Sequence, residues 1–191
     1  MNCSLLRPIR PRVATTLLLS GACLFAMPAQ ATVVTTGNLS PSDLATNPTT
    51  SNQIHIGVGS GSGSLSIDAE GLLTAVTSTA TFGIAAVIGN AYTGTLNVTG
   101  DGTSGSAMFS TLGSIVLGAG SPGGSGSINI SSGGVVEATR NSTFSGSGIS
   151  VGWTAGSTGS VVVDGVGSIL SATDRIQVGG FENTTGTKVI S

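Results

Sequence analysis

The acidic residues are the first candidates for chemistry, since the chain has eight of them and only one histidine. Two carboxyl groups about 5 to 10 Å apart are the usual machinery of glycoside hydrolysis. Asp68 and Glu70 are two residues apart and would share one face of a strand. Asp101 and Asp164 stand in glycine-rich stretches, where acidic side chains usually bond their own backbone in turns. The pattern therefore favours turns over a catalytic pair.

His55 is the other candidate for chemistry, and it stands between Ile54 and Ile56. Alternation along a strand puts its side chain on the face opposite the two isoleucines, towards solvent. A zinc site needs further His or Cys ligands, and the part of the chain after the first 31 residues supplies none. Calcium sites of the repeats-in-toxin kind need tandem GGxGxD segments, whereas "GDG" at Gly100 and "DGVG" at Asp164 are isolated. The sequence thus predicts no metal, no cofactor and no catalytic residue.

Three aromatic residues are candidate surface contacts: Tyr92, Trp153 and Phe181. Each follows a glycine within a few residues, at a corner that we expect to project from the fold. An exposed ring at such a corner would stack on a sugar ring, which makes a surface polysaccharide a candidate partner. The alternative is that the ring folds back over the corner and buries its own apolar surface.

The first 31 residues have the features of a secretory signal. Three arginines precede the apolar segment 13–27, and a small-x-small pattern predicts cleavage between Ala31 and Thr32. The apolar segment is shorter than the roughly 20 residues that a membrane-spanning helix needs. We therefore expect export through the general secretory pathway, to the cell surface, the outer membrane or the extracellular space.

Both cysteines, Cys3 and Cys23, lie within this signal, so the exported chain would contain no disulfide. Lipidation of Cys23 is an alternative, which Ser20 and the apolar "LFAM" after the cysteine disfavour. Removal of the signal leaves three basic and eight acidic side chains, a net charge of −5. Nucleic-acid binding needs clustered Lys and Arg, so nucleic acid is excluded as a partner.

A repeat of about 30 residues runs through the rest of the chain. Its first element is an apolar triplet that ends in glycine, and its second begins with glycine after a short Gly/Ser loop. The first elements end at Gly57, Gly89, Gly118, Gly152 and Gly179. The second elements begin at Gly63, Gly94, Gly126, Gly159 and Gly186. The segments are short and rich in β-branched residues, which indicates strands.

A single repeat cannot bury its apolar face, but stacked repeats build a continuous core. The sequence therefore predicts an all-β fold, a parallel β-helix (β-solenoid) of about five repeats of about 30 residues, right-handed. A β-sandwich is the alternative, since it also uses short strands and Gly-rich turns. The predicted organisation is a signal peptide over residues 1–31, a lead-in segment over 32–53 and solenoid repeats over 54–191, with the last unit incomplete.

The stretches "GSLSID", "GSTGSVVVDGVGSILSA" and "IQVGG" resemble the repeat shared by bacterial autotransporter (type V secretion) passengers and PEP-CTERM surface proteins. The lead-in "GNLSPSDLATNPTTSNQIHIG" resembles the opening of such arrays, and the similarity covers roughly residues 37–190. It implies an exported, adhesin-like β-solenoid at the bacterial cell surface or in its matrix, here the N-terminal part of an autotransporter-like passenger. No catalytic residue belongs to this motif.

The last repeat departs from the others. It stops at Ser191, and Lys188 stands where the other units carry an apolar residue. A solenoid cut within a unit exposes a sheet edge, so we expect self-association through that edge. The leading hypothesis is a structural or adhesin-like surface protein without catalysis, with polysaccharide or other matrix components as partners. The alternatives are a polysaccharide-acting enzyme on a β-helix and a truncated, non-functional remnant.

Overall fold

The described part of the fold consists almost entirely of strands and the turns that connect them. The computed structural model describes residues 32–44, 49–50, 53–68, 71–76, 83–103, 105–120, 123–139, 148–179 and 185–190. Over these ranges the chain forms seventeen strands in three sheets. A helix with the length and hydropathy needed to cross a membrane does not occur in these ranges.

The three sheets run along one axis, and each repeat adds one strand to a sheet before the chain turns to the next. Sheet 1 consists of β1 (Thr32–Gly37), β5 (Gly63–Asp68), β8 (Thr93–Thr99), β11 (Ser125–Ser131), β14 (Thr158–Val163) and β17 (Thr185–Ile190). Sheet 2 consists of β2 (Leu39–Ser40), β4 (Ile54–Ile56), β7 (Ile84–Asn90), β10 (Ser114–Ala119), β13 (Ile149–Val151) and β16 (Ile176–Val178). Sheet 3 consists of β3 (Thr49–Thr50), β6 (Leu72–Val76), β9 (Ala107–Leu112), β12 (Gly134–Thr139) and β15 (Ile169–Ala172).

The predicted β-solenoid with parallel sheets is confirmed. Strands of successive repeats pair in parallel, and the glycines that open the second elements are register partners from one repeat to the next. Four repeats contribute a strand to every sheet, whereas the described part of the fifth contributes only β16 and β17. The number of complete turns is therefore slightly smaller than the five repeats predicted.

The core is a set of apolar columns inside the three sheets. Alternate residues of sheet 1 point inwards, so Leu65, Leu96, Ile128 and Val161 form one fully buried column. Phe109 of β9 is the largest fully buried side chain. Burying such a side chain contributes roughly 1.5 to 3 kcal/mol, and stacking brings each one against its neighbours above and below.

Glycine is required at the corner between sheets 2 and 1. A Cβ added to Gly94 would collide with the backbone of Ile56 and Gly89, and one added to Gly126 would collide with the carbonyl oxygen of Ile88. Gly89 also has a φ of +78°, in the left-handed region that a side chain disfavours. The repeating glycines therefore let one turn of backbone lie directly on the next.

The first part of the lead-in segment folds over the first repeat with reversed chain direction, whereas β3 pairs parallel with β6. β1 pairs antiparallel with β5 over six residue pairs, and β2 pairs antiparallel with β4. Leu44 is fully buried within the core, and Val33 and Leu39 pack against it. We call residues 32–44 the cap, because they close the N-terminal end of the solenoid.

Candidate functional site

A shallow groove lies on the outer side of sheet 1, where the cap meets the first two repeats. Its volume is about 260 Å³, and it is lined by Thr36, Gly37, Ser62, Gly63, Ser64, Thr93 and Thr95. The groove follows from strand register, because Thr36 of β1, Ser64 of β5 and Thr95 of β8 are direct partners across the sheet. Alternation along β5 and β8 turns Leu65 and Leu96 inwards, so the side chains of Ser64 and Thr95 lie outside, beside the exposed Thr36.

Farther along the same face, many polar side chains are bonded to one another. Hydroxyl pairs join successive repeats, from Ser127 to Thr95 at 3.1 Å, Ser131 to Thr99 at 3.3 Å and Thr158 to Ser125 at 3.0 Å. An amide ladder runs beside them, in which Asn129 donates to Asn97 at 2.9 Å and Asn97 donates to Ser66 at 3.2 Å. These side chains have at least one partner within the protein.

The groove differs, because most of its hydroxyl groups have no partner of that kind. Within the part of the chain that the structure describes, the side chains of Thr36, Ser62, Ser64 and Thr93 make no hydrogen bond. Thr95 accepts a bond from Ser127 and retains its own hydrogen for donation. A serine or threonine hydroxyl donates one hydrogen bond and accepts two. The groove therefore presents convergent, uncharged donors and acceptors to solvent.

Tyr92 is adjacent in sequence to one of the groove residues. It immediately precedes Thr93 in the corner between β7 and β8, and its side chain is 40% exposed. Its carbonyl oxygen accepts a hydrogen bond of 3.0 Å from the backbone N–H of Ser125 in the next repeat, which fixes the corner. Tyr92 therefore places an exposed aromatic residue next to Thr93 in the chain, and an exposed ring can stack on a sugar.

Trp153 occupies the corresponding corner two repeats later and is placed differently. Its side chain is half-buried and packs against Val87, Val116 and Ala119, a small apolar cluster on the outer side of sheet 2. The exposed fraction of Trp153 is accordingly smaller than that of Tyr92. The third candidate, Phe181, lies outside the described residues.

His55 lies on the outer face of sheet 2 and joins the first repeat to the second. Its Nε2 is 2.8 Å from Oε1 of Gln53, and its Nδ1 is 3.4 Å from Nδ2 of Asn90. A neutral ring with its hydrogen on Nε2 satisfies both contacts, by donating to Gln53 and accepting from Asn90. The imidazole is half-buried rather than fully solvated, and this burial lowers its pKa from the ordinary value of 6.5.

Of the acidic candidates, the side chain of Asp101 is bonded to the backbone of its own turn, whereas Asp68 is the last residue of β5. The backbone N–H of Thr103 donates to Oδ1 of Asp101 at 2.9 Å, and this bond holds the pKa of Asp101 below its ordinary value. The backbone N–H of Asp164 donates to the carbonyl oxygen of Ile130 at 2.9 Å. Glu70 lies outside the described residues. No group of three His, Cys, Asp or Glu side chains that could hold a metal ion occurs among the described residues.

The predicted cleavage site adjoins the first strand. Ala31 lies outside the described residues, and β1 begins at Thr32. Sequence reasoning missed the groove, because one of its walls is Thr36 of the cap, whose reversed pairing with β5 leaves no mark in the repeat pattern. The recurring Ser or Thr one residue after each glycine of sheet 1 was the available signal. Comparison of the chain with family models, with curated proteins and with solved structures finds no match.

Proposed function

We propose that this chain is an exported repeat protein of the bacterial cell surface, structural or adhesin-like, without catalysis of its own. The observation that carries the proposal is the register of the outer columns of sheet 1, where polar side chains recur at every turn for three repeats. Repeated weak contacts along such a face add up through multivalency without any single strong site. The resemblance of the repeats to those of autotransporter passengers and PEP-CTERM surface proteins supports the same proposal.

Export is the first part of this proposal. β1 begins at Thr32 and pairs with β5 from that residue onwards, so removal of residues 1–31 would leave every described strand intact. Removal of the signal would therefore leave the pairing of the cap with the first repeat unchanged.

The test is expression of residues 1–191 in a Gram-negative bacterium, followed by fractionation and N-terminal sequencing. We expect an exported chain that begins at Thr32, and we expect Ala31→Arg to block processing because the signal peptidase requires a small residue there. Gln30→Ala is the matched control, since the middle position of the small-x-small pattern tolerates many residues. Retention in the cytoplasm, or equal processing of both variants, would contradict export through this signal.

Adhesion is the second part, and it is tested with the purified chain 32–191 on immobilised cell-surface polysaccharide and on intact bacteria. We expect saturable retention without a change in the polysaccharide. Release of reducing ends during the incubation would instead support the alternative of a polysaccharide-acting enzyme. Absence of retention on either surface would count against an adhesin-like role.

A further inference from the structure

We propose that the groove between the cap and the first two repeats binds one sugar unit of a neutral polysaccharide. This inference rests on the proposed surface function and deepens it, because it names the ligand class and the place of contact. The groove combines an open volume with hydroxyl groups that have no hydrogen-bond partner among the described residues, and the exposed Tyr92 directly precedes its lining residue Thr93 in the chain.

The chemistry of the lining selects a neutral ligand. The side chains that line the groove are hydroxyls of Ser and Thr, and no charged group stands among them. A carboxylate, sulfate or phosphate would find no cation there to replace its lost hydration. A neutral sugar carries hydroxyls that both donate and accept, which matches the same dual capacity in Ser and Thr.

The free state of these hydroxyls favours binding at the groove over binding farther along the sheet. A ligand that reaches Ser64 or Thr93 displaces only water, because these side chains have no partner in the described part of the protein. A ligand at Asn97 or Asn129 would compete with the existing amide ladder. Binding at the groove therefore sacrifices no internal hydrogen bond.

The size and the neighbours of the groove indicate a single unit rather than a long segment. Its 260 Å³ lies below the roughly 300 to 1,000 Å³ typical of pockets for drug-sized ligands. Tyr92 precedes the lining residue Thr93 and offers an exposed ring at the same corner. Gly37 and Gly63 add no side chain to the lining, so the polar side chains of the groove are those of Ser and Thr alone.

The test measures affinity of the purified chain 32–191 for dextran, mannan and galactomannan, with the anionic alginate as comparison, by affinity electrophoresis. We expect at least one neutral polysaccharide to bind about tenfold more tightly than alginate. Ser64→Val and Thr93→Val should each weaken that binding about fivefold, and Tyr92→Ala should weaken it further. The matched control is Ser160→Val, which removes a hydroxyl of the same register column outside the groove.

Two results would overturn the inference. One is that none of the neutral polysaccharides binds more tightly than alginate; the other is that Ser160→Val weakens binding as much as Ser64→Val. Either result leaves the proposed function standing if the exported chain still adheres to cells, since another part of the surface would then make the contact. Failure of export or of adhesion in the wild-type chain would contradict the proposed function itself. Thermal unfolding of each variant identifies any loss that comes from misfolding.

Discussion

The two ends of the solenoid carry the same kind of residue in the same columns and bury it to different extents. Ile54 in the first repeat and Ile176 in the fifth belong to one column of sheet 2. Ile54 is fully buried, whereas Ile176 is only partly buried. In the next inward column, Ile56 is fully buried and Val178 is 42% exposed.

The difference comes from what lies beyond each terminal repeat. The first repeat is covered by β1 and β2 in antiparallel pairing and by the buried side chain of Leu44. In the described part of the chain, no strand pairs with the far side of β15, β16 or β17. A repeat protein obtains its stability from the interfaces between neighbours, so a unit with one neighbour is expected to be less stable than a unit with two.

The largest expected effect is the contrast between Ile54→Ala and Ile176→Ala. Ile54→Ala leaves a cavity at a fully buried site and should lower the free energy of unfolding by about 2 to 5 kcal/mol. Ile176→Ala removes atoms that are already partly in water and should cost less than about 1.5 kcal/mol. Urea unfolding of the chain 32–191, monitored by circular dichroism, measures the loss in the free energy of unfolding for both variants. Equal losses would show that the two ends are equally well covered.

Leu44→Ala tests the cap itself. The side chain is fully buried among core residues, so we expect a loss of about 2 to 4 kcal/mol in the free energy of unfolding. Ser42→Ala, at an exposed position of the same turn, is the control and should change stability by less than about 0.5 kcal/mol. If Leu44→Ala behaves like this control, the cap does not close the core.

Self-association should distinguish the two ends in the chain 32–191. An uncovered sheet edge pairs with other chains, and a lysine on it opposes such pairing. We expect concentration-dependent association that Val178→Lys weakens about tenfold, as measured by sedimentation equilibrium. Val34→Lys places the same charge on β1, the strand at the opposite edge of sheet 1, where Val34 is 48% exposed. It should weaken association less, because Val33 and Leu44 cover the core behind that edge. Equal weakening by both variants would contradict an association specific to the fifth repeat.

The smallest expected effect is the pH dependence that His55 gives to the capped end. Burial lowers the pKa of His55 in the folded chain below 6.5, so the unfolded chain takes up the proton more readily. Its contribution to stability is therefore present above about pH 6.5 and is lost as the pH falls towards the lowered pKa. His55→Gln should flatten this part of the stability profile between pH 7 and pH 5. A profile that keeps its slope in the variant would assign the effect to other groups.

The sequence predicted the features of the fold that recur in every repeat and missed the features that occur only once. The glycines at Gly63, Gly94 and Gly126 gave the register directly, because each must lie where a Cβ would collide with backbone. The cap was predicted only as a lead-in segment, since its two antiparallel strands have no second copy in the sequence to reveal their partners. The half-burial of His55 was missed for a related reason, since it depends on Gln53 and on Asn90, 35 residues away.

In the candidate site, too, some features were predicted from the sequence and others required the structure. Tyr92 was expected at an exposed corner and lies at one, whereas its role as a surface contact is still a prediction. The fold-back alternative describes Trp153 better, because its ring packs against Val87 and Val116. This packing could not be predicted from the sequence, since it depends on the strand register that makes Val87 and Val116 partners. The groove combines two repeats with the cap, and therefore required the three-dimensional structure.

Native-state hydrogen exchange of the chain 32–191 tests the central claim most directly, namely that among the described strands the first repeat is covered by the cap and the fifth repeat by no further strand. Backbone amides of β4 and β5 should exchange about 100-fold more slowly than those of β16 and β17, because the uncovered repeat opens without unfolding the rest. Indistinguishable exchange rates at the two ends would contradict the claim.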